Sequence, residues 1–350
     1  MKKLAGFMIV TAAVVMLAGC GQSSSGSSAA GASSAGDAAK TGNGLRHVVL
    51  ASNPFIGNGP SYVAMDKGFF KNHGIDVENV EFDDASENLS AVMAGKADIA
   101  DATLDSALIA ADQNRSSMIS VIGIQDDSEG ADGIVAKNGI GSIKDLKGKT
   151  VGVDVNQTSH LLLHQALMEN GLKDSDVKLQ DMTASDAGTS FISGALDAAV
   201  TWEPYLSNAA NDGVGKMIYS SKDAPGLIMD VFCISKKANE SSDNEWVSEY
   251  LQGLDDAIAY IEADSTKADA FKIIGDHLGV DADEAEKEWS TIKTYPVKDM
   301  CSALASGGTA YKTVDSVNKF YTQTGTMSGN VEPDDVLNPK YAEKTLSAGK

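Results

Sequence analysis

Arginine is nearly absent from this sequence. Its 350 residues include only Arg46 and Arg115, against 49 acidic residues, and the formal net charge is −21. Nucleic acids and anionic membrane surfaces are bound by clustered Lys and Arg, so this balance argues against both as partners of the folded chain. A planar, bidentate clamp for carboxylate, sulfonate or phosphate is normally Arg. Any anionic ligand would have to be held by Lys, hydroxyl groups and backbone N–H groups.

Phosphate-binding loops and cysteines are also scarce. No Gly-rich loop ending in Lys-Ser or Lys-Thr is present, which argues against nucleotide hydrolysis. The three cysteines are Cys20, Cys233 and Cys301, and Cys233 lies in the apolar run Val231–Ile234. We expect Cys233 and Cys301 to be small buried thiols, in preference to a disulfide or metal ligands.

Two histidines have a spacing that can bind metal. His160 and His164 are four residues apart, which places both on one face of a helix. The usual hydrolase motif needs a Glu beside the first His, and here three leucines separate the two. We therefore predict no metal, no cofactor and no catalytic residue. The acidic runs Asp126–Glu129 and Asp281–Glu288 are interpreted as solvated surface.

The N-terminus has the pattern of a secretion signal. Lys2 and Lys3 precede the apolar run Leu4–Ala18, which is too short to span a bilayer comfortably. Leu17–Cys20 looks like a bacterial lipobox, in which the signal is cut before the Cys and its sulfur carries lipid. We predict a signal peptide over residues 1–19 and a lipidated Cys20. Residues 20–44, rich in Ser, Gly and Ala, would be a flexible tether.

Short apolar strands alternate with helical patterns along most of the chain. This alternation runs from His47 to Gln125 and again from Lys149 to Ser220, and the chain from Asn244 onward is mostly helical. Alternation of this kind predicts an α/β fold with parallel strands. The length is sufficient for two lobes with separate cores. Such sheets bind ligands beyond the carboxyl ends of their strands, which predicts a small-molecule binder.

The loop Asn156–His160 is the central candidate for the ligand site. It follows the predicted strand Lys149–Asp154, and Thr158 or Ser159 is predicted to cap a helix that ends at Gly171. The first turn of a helix presents unpaired backbone N–H groups that can hold a ligand oxygen. Together with this loop, the other strand ends give the candidate ligand-binding residues Asn53, Phe55, Asp83, Asp84, Thr103, Asp105, Asp154, Asn156, Gln157, Thr158, Ser159, His160, Trp202, Glu203 and Asp230.

Several of these residues have an alternative role. Asp83, Asp84, Thr158 and Ser159 are also residue types that do no more than cap a helix. Trp202 is either part of a core or a flat wall for the ligand, and we favour the wall. Glu203, held in extended geometry by the proline that follows, either contacts ligand or anchors a hinge or helix.

Four blocks of sequence resemble a known family. They are residues 67–78 (KGFFKNHGIDVE), 94–100 (AGKADIA), 145–153 (DLKGKTVGV) and 198–204 (AAVTWEP). The blocks resemble, in order and at the usual spacing, the solute-binding proteins of ABC importers for nitrate, sulfonates, taurine and thiamine-pyrimidine precursors (the SsuA/TauA and NMT1/THI5-like group). The resemblance runs from about Val48 to Lys340 and lies behind a lipobox.

The resemblance implies a two-lobe, type II periplasmic-binding-protein fold. Each lobe would be a mixed, mostly parallel sheet flanked by helices, and two hinge strands would join the lobes. Residues 45–133 and 236–350 would form lobe 1, and residues 134–235 would hold the hinge strands and lobe 2. The segment Asn338–Tyr341 is expected to pack back on the first lobe.

The function that the resemblance implies is capture of a small organic solute. A monomeric, lipid-anchored, extracytoplasmic protein would deliver a sulfonate, taurine, nitrate or thiamine-pyrimidine precursor to a permease driven by a separate ATPase. One alternative is an enzyme on the same scaffold, like the pyrimidine synthases of that group, whose Cys-rich iron motif this chain lacks. Another is a surface sensor.

The amino-acid composition also bears on the class of ligand. The scarcity of Arg favours a neutral or amine-bearing heterocycle over an anion. Such a ligand would stack on Trp202 and Phe55, and its N–H groups would donate to acidic residues, for which the candidates are Asp84, Asp105, Glu203 and Asp230.

Overall fold

The computed structural model describes residues 44–82, 85–113, 119–211 and 213–348. The predicted signal peptide, Cys20 and nearly all of the predicted tether lie outside the described residues, as do Asp83 and Asp84. Within the described ranges, no helix is both long and apolar enough to cross a membrane.

The described part of the chain contains eleven strands. They are β1 (Arg46–Ser52), β2 (Ile75–Glu81), β3 (Ile99–Thr103), β4 (Ile119–Ser128), β5 (Asp132–Lys137), β6 (Thr150–Val153), β7 (Lys178–Asp181), β8 (Ala198–Trp202), β9 (Gly215–Ser220), β10 (Met229–Ser235) and β11 (Ile292–Thr294). They form a six-stranded sheet in the order β11-β4-β10-β3-β1-β2 and a five-stranded sheet in the order β7-β6-β8-β5-β9.

Helices flank both sheets. They are α1 (Gly59–Lys67), α2 (Phe69–Asn72), α3 (Ala85–Met93), α4 (Leu104–Gln113), α5 (Thr158–Glu169), α6 (Ala184–Ile192), α7 (Tyr205–Asn211), α8 (Lys236–Glu240), α9 (Glu245–Glu262), α10 (Lys267–Leu278), α11 (Ala282–Trp289), α12 (Val297–Leu304), α13 (Thr309–Thr324), α14 (Pro333–Val336) and α15 (Lys340–Ala348). Short 3-10 turns lie at Ile56–Asn58, Ile143–Leu146, Asp174–Asp176 and Ser221–Asp223.

The mixed α/β architecture predicted from the sequence is confirmed, but parallel pairings do not predominate. In the first sheet, β1 pairs in parallel with β2 and β3, whereas β10 and β4 and the short β11 add three antiparallel pairings. In the second sheet, two pairings around β6 are parallel and two around β5 are antiparallel. The antiparallel strands are those beside the two points where the chain passes between the sheets.

The chain passes between the two sheets twice. β5 pairs only with strands of the second sheet and β10 only with strands of the first, so the crossings are the adjoining segments 129–131 and 221–228. Hydrogen bonds tie these crossings together. The Ser128 hydroxyl lies 2.7 Å from both Asp132 Oδ2 and the Ser221 hydroxyl, and the backbone N–H of Gly130 donates to Ser221 Oγ at 2.7 Å.

The helices after β10 complete the first sheet's core. Tyr250 of α9 is fully buried and stacks on Phe70 of α2, with ring centroids 5.0 Å apart. The C-terminal segment packs as predicted, because the Asn338 N–H donates to the carbonyl of Val121 in β4 at 2.9 Å. Cys233 is fully buried in β10 and Cys301 is partly exposed, and both are free thiols.

Candidate ligand-binding site

A cavity of about 110 Å³ lies where strand ends of the two sheets meet. The first sheet contributes the end of β3, the start of β10 and the loop after β1. The second sheet contributes the start of β5, the end of β8 and the loop after β6. Its lining residues are Asn53, Phe55, Ala85, Ser86, Asp101, Ala102, Thr103, Ser106, Asp132, Asp154, Gln157, Thr158, Ser159, Ala184, Trp202, Ile228 and Asp230.

Most of the candidates from the sequence come together around this cavity. The predicted residues that line it are Asn53, Phe55, Thr103, Asp154, Gln157, Thr158, Ser159, Trp202 and Asp230. The lining residues that the sequence analysis did not single out are Ala85, Ser86, Asp101, Ala102, Ser106, Asp132, Ala184 and Ile228. Asp105, Asn156, His160 and Glu203 were candidates, but they are not among the residues that line the cavity.

Asp105 joins the two halves of the site. It is buried at the start of α4, and both of its carboxylate oxygens accept hydrogen bonds from the Thr158 hydroxyl, at 3.0 and 3.1 Å. The hydroxyl of Tyr321 in α13 also donates to Asp105, at 2.6 Å. Through these hydrogen bonds, Asp105 on α4 contacts both α5 and α13.

His160 positions the loop before α5. Asn156 adopts a left-handed backbone conformation with φ of 65°, and its N–H donates to His160 Nδ1 at 3.1 Å. Because Nδ1 accepts, the proton of the neutral ring is on Nε2, which lies 3.8 Å from Asp174. Burial lowers the pKa of His160, with a smaller opposing effect from Asp174. His160 is thus a neutral support of the loop.

Glu203 anchors a helix. Its carboxylate accepts from the backbone N–H of Ser207 at 2.9 Å and from the Ser207 hydroxyl at 2.8 Å. This geometry caps the first turn of α7 and corresponds to the alternative role considered for this residue. Burial raises the pKa of Glu203, and the Ser207 hydrogen bonds offset part of that effect.

The histidine pair contacts an acidic residue. His164 Nδ1 lies 2.8 Å from Asp174 Oδ2, close enough for an ion pair or hydrogen bond. In the ranges that the structure describes, no cluster of three metal-ligating side chains is found.

Two aromatic rings form an apolar corner of the cavity. Phe55 and Trp202 meet edge to face, with centroids 6.3 Å apart and planes at 86°. Tyr205 packs on the other side of Trp202 at 5.1 Å, also edge to face. Trp202 is half-buried and lines the cavity, as the wall interpretation requires. Flat aromatic walls of this kind are usual in small-molecule pockets.

Carboxyl groups form the polar part of the lining. Asp101 in β3 and Asp230 in β10 lie on the same face of the first sheet, because Thr103 is paired with Asp230 and side chains two apart share a face. From the second sheet, Asp132 is paired with Trp202 across β5 and β8, and Asp154 follows β6. Residues from both sheets therefore bring acidic groups to one small space.

Asp101 and Asp132 are each held by one hydrogen bond. Asn58 Nδ2 donates to Asp101 Oδ2 at 2.8 Å, and the Ser128 hydroxyl donates to Asp132 Oδ2 at 2.7 Å. Burial raises the pKa of each of these two carboxyl groups to about 7, and the hydrogen bond offsets part of the increase. Near neutral pH, both groups are therefore poised between their charged and neutral forms.

Asp126 and Asp230 form a buried pair of like groups. They are opposite each other on the antiparallel strands β4 and β10, and Asp126 is fully buried. No donor among the described residues hydrogen-bonds to either carboxylate oxygen of Asp126. Burial, followed by repulsion from neighbouring carboxylates, raises the pKa of both groups well above the usual range. A proton shared between the two carboxyls is the arrangement that such a contact requires.

The burial of Asp126 corrects the expectation that Asp126–Glu129 is solvated surface. Asp126, Asp127 and the next residue, Ser128, are all buried in β4, and the Asp127 carboxylate accepts from the Tyr295 hydroxyl at 2.6 Å. The second acidic run is exposed at Asp281, as expected, but Glu288 at its end is buried. The acidic run Asp126–Glu129 did not indicate solvent exposure, because β4 lies between β11 and β10 and every residue of β4 is buried.

Asp126→Asn is expected to stabilise the ligand-free protein at alkaline pH. A raised pKa in the folded state means that stability is present at low pH and is lost as the pH rises. Removing this acid should therefore raise the free energy of unfolding at pH 8 and change it less at pH 5. Urea unfolding of both proteins at the two pH values measures this difference. An equal effect of the substitution at both pH values would contradict the shared-proton arrangement.

The architecture places this chain in the class of periplasmic-binding-protein folds. Solved structures similar to it include the periplasmic aliphatic sulphonate binding protein SsuA from Escherichia coli, with a TM-score of 0.70, 18% sequence identity, and coverage of 83% of this chain and 92% of that one. The periplasmic nitrate-binding protein NrtA from Synechocystis PCC 6803 gives a TM-score of 0.68 at 12% identity, covering 87% of this chain and 89% of that one.

Sequence comparison identifies the family. The NMT1/THI5-like family model matches residues 57–268, and the chain belongs to that family. A Brucella abortus protein provisionally named a binding protein is 23% identical over 292 residues, which are 82% of this chain and 88% of that protein. The taurine-binding periplasmic protein of Escherichia coli is 26% identical over 155 residues, covering 44% of this chain and 48% of that protein.

Proposed function

We propose that this chain is an extracytoplasmic solute-binding protein of an ABC importer. It captures one small organic solute in the cavity between the sheets and delivers it to a permease, whose separate ATPase supplies the energy. The main support for this proposal is that strand ends of both sheets line one cavity. Relatives named for sulfonate, taurine and nitrate binding support a small solute and a transport role.

Closure of two lobes around the solute is the proposed working motion. We assign residues 45–133 and 236–350 to lobe 1 and residues 134–235 to the hinge strands and lobe 2, with bending at the crossings. A ligand that contacts both lobes only when they are closed shifts the equilibrium toward the closed state. Periplasmic binding proteins are themselves a standard example of hinge closure around a ligand, so the motion is carried over from the fold class.

Contacts between the proposed lobes support this motion. The Thr158 hydroxyl of α5 meets Asp105 and also lies 3.1 Å from the Thr103 hydroxyl. Phe320 of α13 packs against His164, with ring centroids 4.6 Å apart, and Phe55 meets Trp202. Each contact joins an element around the first sheet to one around the second, so separation of the lobes would break all of them. These contacts support the interpretation of this structure as a closed state.

Thr158→Val is expected to favour the open state. The valine keeps the shape of the side chain and removes the hydroxyl that meets Asp105 and Thr103. Loss of one such hydrogen bond costs about 1 kcal/mol, so the ratio of closed to open ligand-free protein should fall about 5-fold. Small-angle X-ray scattering should show a larger radius of gyration for the variant. Thr189→Val is the matched control, because Thr189 is exposed on α6 and bonds only within its own helix.

The anchor is proposed from the sequence alone. We propose that Cys20 carries lipid and that residues 20–44 tether a monomeric binding domain to the outer face of the cell membrane. Support comes from the lipobox at Leu17–Cys20 and from the Ser/Gly/Ala composition that follows. Metabolic labelling with a radioactive fatty acid tests it, and labelling should disappear in Cys20→Ser.

A binding screen tests the proposed function. The chain from Cys20 onward, carrying Cys20→Ser, is screened by thermal shift with sulfonates, nitrate, pyrimidines and amines. Native mass spectrometry then determines stoichiometry. The proposal predicts one molecule bound per chain, released unchanged. Chemical conversion of a bound compound would favour an enzyme, and no 1:1 binding by any compound would contradict the proposed function.

A further inference from the structure

The cavity has a strongly acidic lining. Four of its lining residues are aspartates, namely Asp101, Asp132, Asp154 and Asp230, and the lining formed by the described residues contains no Lys, Arg or His. Aliphatic sulfonate, nitrate and carboxylate all carry negative charge. Above pH 7, where Asp101 and Asp132 are mainly ionised, placing such an anion among these groups would add repulsion and remove the anion from water. No guanidinium or ammonium group of the described lining residues would offset either cost.

Asp230 gives the clearest indication of what the cavity binds. It is only 8% exposed and lines the cavity at the start of β10. Apart from the proton that it can share with Asp126, no hydrogen bond from a donor group of the described residues reaches its carboxylate. The charged groups that act on it are other carboxyls, those of Asp126, Asp101, Asp132 and Asp105. A buried carboxylate in such surroundings is stabilised by a proton or by a cation, and the described lining residues include no Lys, Arg or His to supply the cation. A cationic ligand can therefore replace the proton that Asp230 shares with Asp126.

Asp101 and Asp132 have spare capacity to accept hydrogen bonds. Each uses one oxygen for the single donor described above, from Asn58 or from Ser128. A carboxylate offers about four lone-pair positions on two oxygens, so each retains positions that a ligand N–H group can use. Their strands belong to different sheets, so a ligand donating to both would bridge the proposed lobes.

The aromatic corner is suited to the same kind of ligand. Phe55 and Trp202 present apolar surface next to the acidic lining, and Trp is the best aromatic partner for a cation. The N-terminus of α5 also lies at the cavity, and a helix N-terminus attracts anions. Acidic groups offset it, because Asp154 precedes α5 in the lining and Asp105 contacts Thr158 in its first turn.

We propose that the solute is an organic cation, in which a protonated amine, amidine or guanidine group donates to Asp230, Asp101 and Asp132 while its apolar part packs against Trp202 and Phe55. This inference rests on the proposed function and specifies its solute class. It separates this chain from relatives named for sulfonate, taurine or nitrate.

Two matched series of compounds test the charge preference. Benzamidine, benzamide and benzoate share one shape and differ in charge, and propionamidine, propionamide and propionate do the same at smaller size. Calorimetric titration at pH 8 uses the chain from Cys20 onward with Cys20→Ser, and taurine and ethanesulfonate complete the set. In the series whose compounds fit the cavity, the cation should bind at least about 10-fold more tightly than its neutral analogue. The anions should not bind.

Asp230→Asn tests the assignment to a residue. It should weaken binding of the amidine about 30-fold and binding of the neutral amide less than about 3-fold, because only the charge-assisted contact is lost. Asp101→Asn provides the same test from a different strand if Asp230→Asn does not fold, and thermal unfolding is recorded for both. Asp299→Asn is the matched control, since it removes an equal charge from an exposed position on α12.

The outcomes distinguish the two proposals. Binding of benzoate, propionate, taurine or ethanesulfonate as tightly as the amidines would overturn the cation assignment, and so would failure of both amidines to bind. In either case, 1:1 binding of another compound in the wider screen would leave the proposed binding function intact. Absence of 1:1 binding throughout that screen would overturn the function as well.

Discussion

Raising the pH from 6 to 8 is expected to strengthen binding of a cationic solute about 100-fold. Asp101 and Asp132 have pKa values of about 7, because burial disfavours their charged forms. Each is ionised to about one tenth at pH 6 and to about nine tenths at pH 8. If the cation requires both carboxylates to be ionised, each contributes a factor of about 10, which together gives the increase of about 100-fold, and protons are released on binding. The pKa of Asp230 is also raised, so its ionisation changes the affinity in the same direction.

Among the described residues, the charged groups that act on Asp230 are all acids. They are Asp126 on β4, Asp101 on β3, Asp132 on β5 and Asp105 on α4, and each raises the pKa of Asp230. Titration of benzamidine at pH 6, 7 and 8 measures the effect, since the amidine stays protonated throughout. Its matched amide, benzamide, should show little change. A constant affinity for benzamidine, or one that falls as the pH rises, would contradict the role of these carboxyls.

Trp202→Ala is expected to weaken solute binding about 100-fold. Aromatic residues at the centre of a binding site often contribute about 2–4 kcal/mol when truncated to alanine. Here the alanine would remove one wall of the cavity and the partner that holds Phe55 edge to face. The measurement is calorimetric titration with the tightest-binding compound of the two series.

Trp202→Phe tests whether the aromatic wall, and not damage to the fold, accounts for the weaker binding. Phenylalanine keeps an aromatic face, so the affinity of this variant for the solute should fall less than about 10-fold. Thermal unfolding of both variants should show that each is folded. Trp202 is half-buried at the end of β8, so we expect the alanine variant to fold. An alanine variant whose affinity stays within about 3-fold of the parent protein would contradict the wall assignment.

Much of the fold could be predicted from sequence because local signals and long-range packing agree. The sequence predicts a helix after the loop Asn156–His160, and α5 begins at Thr158, but its N-cap is Gln157 and not Thr158 or Ser159. The buried run Val231–Ile234 lies within β10. The scarcity of Arg also indicated that a bidentate anion clamp is missing. The sequence could not show that β4, β5 and β10 pair with their neighbours in antiparallel orientation, because the pairing partners are remote along the chain.

The missed site residues have a common physical cause. Asp101 is a charged residue inside the otherwise apolar run of β3, and such a residue is a signal that could have been used. Asp132 begins β5 just after an acidic segment that suggests solvent exposure. Asp105 and Glu203, in contrast, were expected near the ligand because they follow strand ends. Their contacts with Thr158 and Ser207 depend on the tertiary structure, which residue type alone does not specify.

A crystal structure with bound benzamidine, or with propionamidine if that series binds, tests the central claim most directly. The account predicts that the amidinium nitrogens lie at hydrogen-bond distance from the carboxylates of Asp230 and of Asp101 or Asp132, with Trp202 against the apolar part. A compound bound outside this cavity, or an amidinium group turned away from all of these carboxylates, would contradict it.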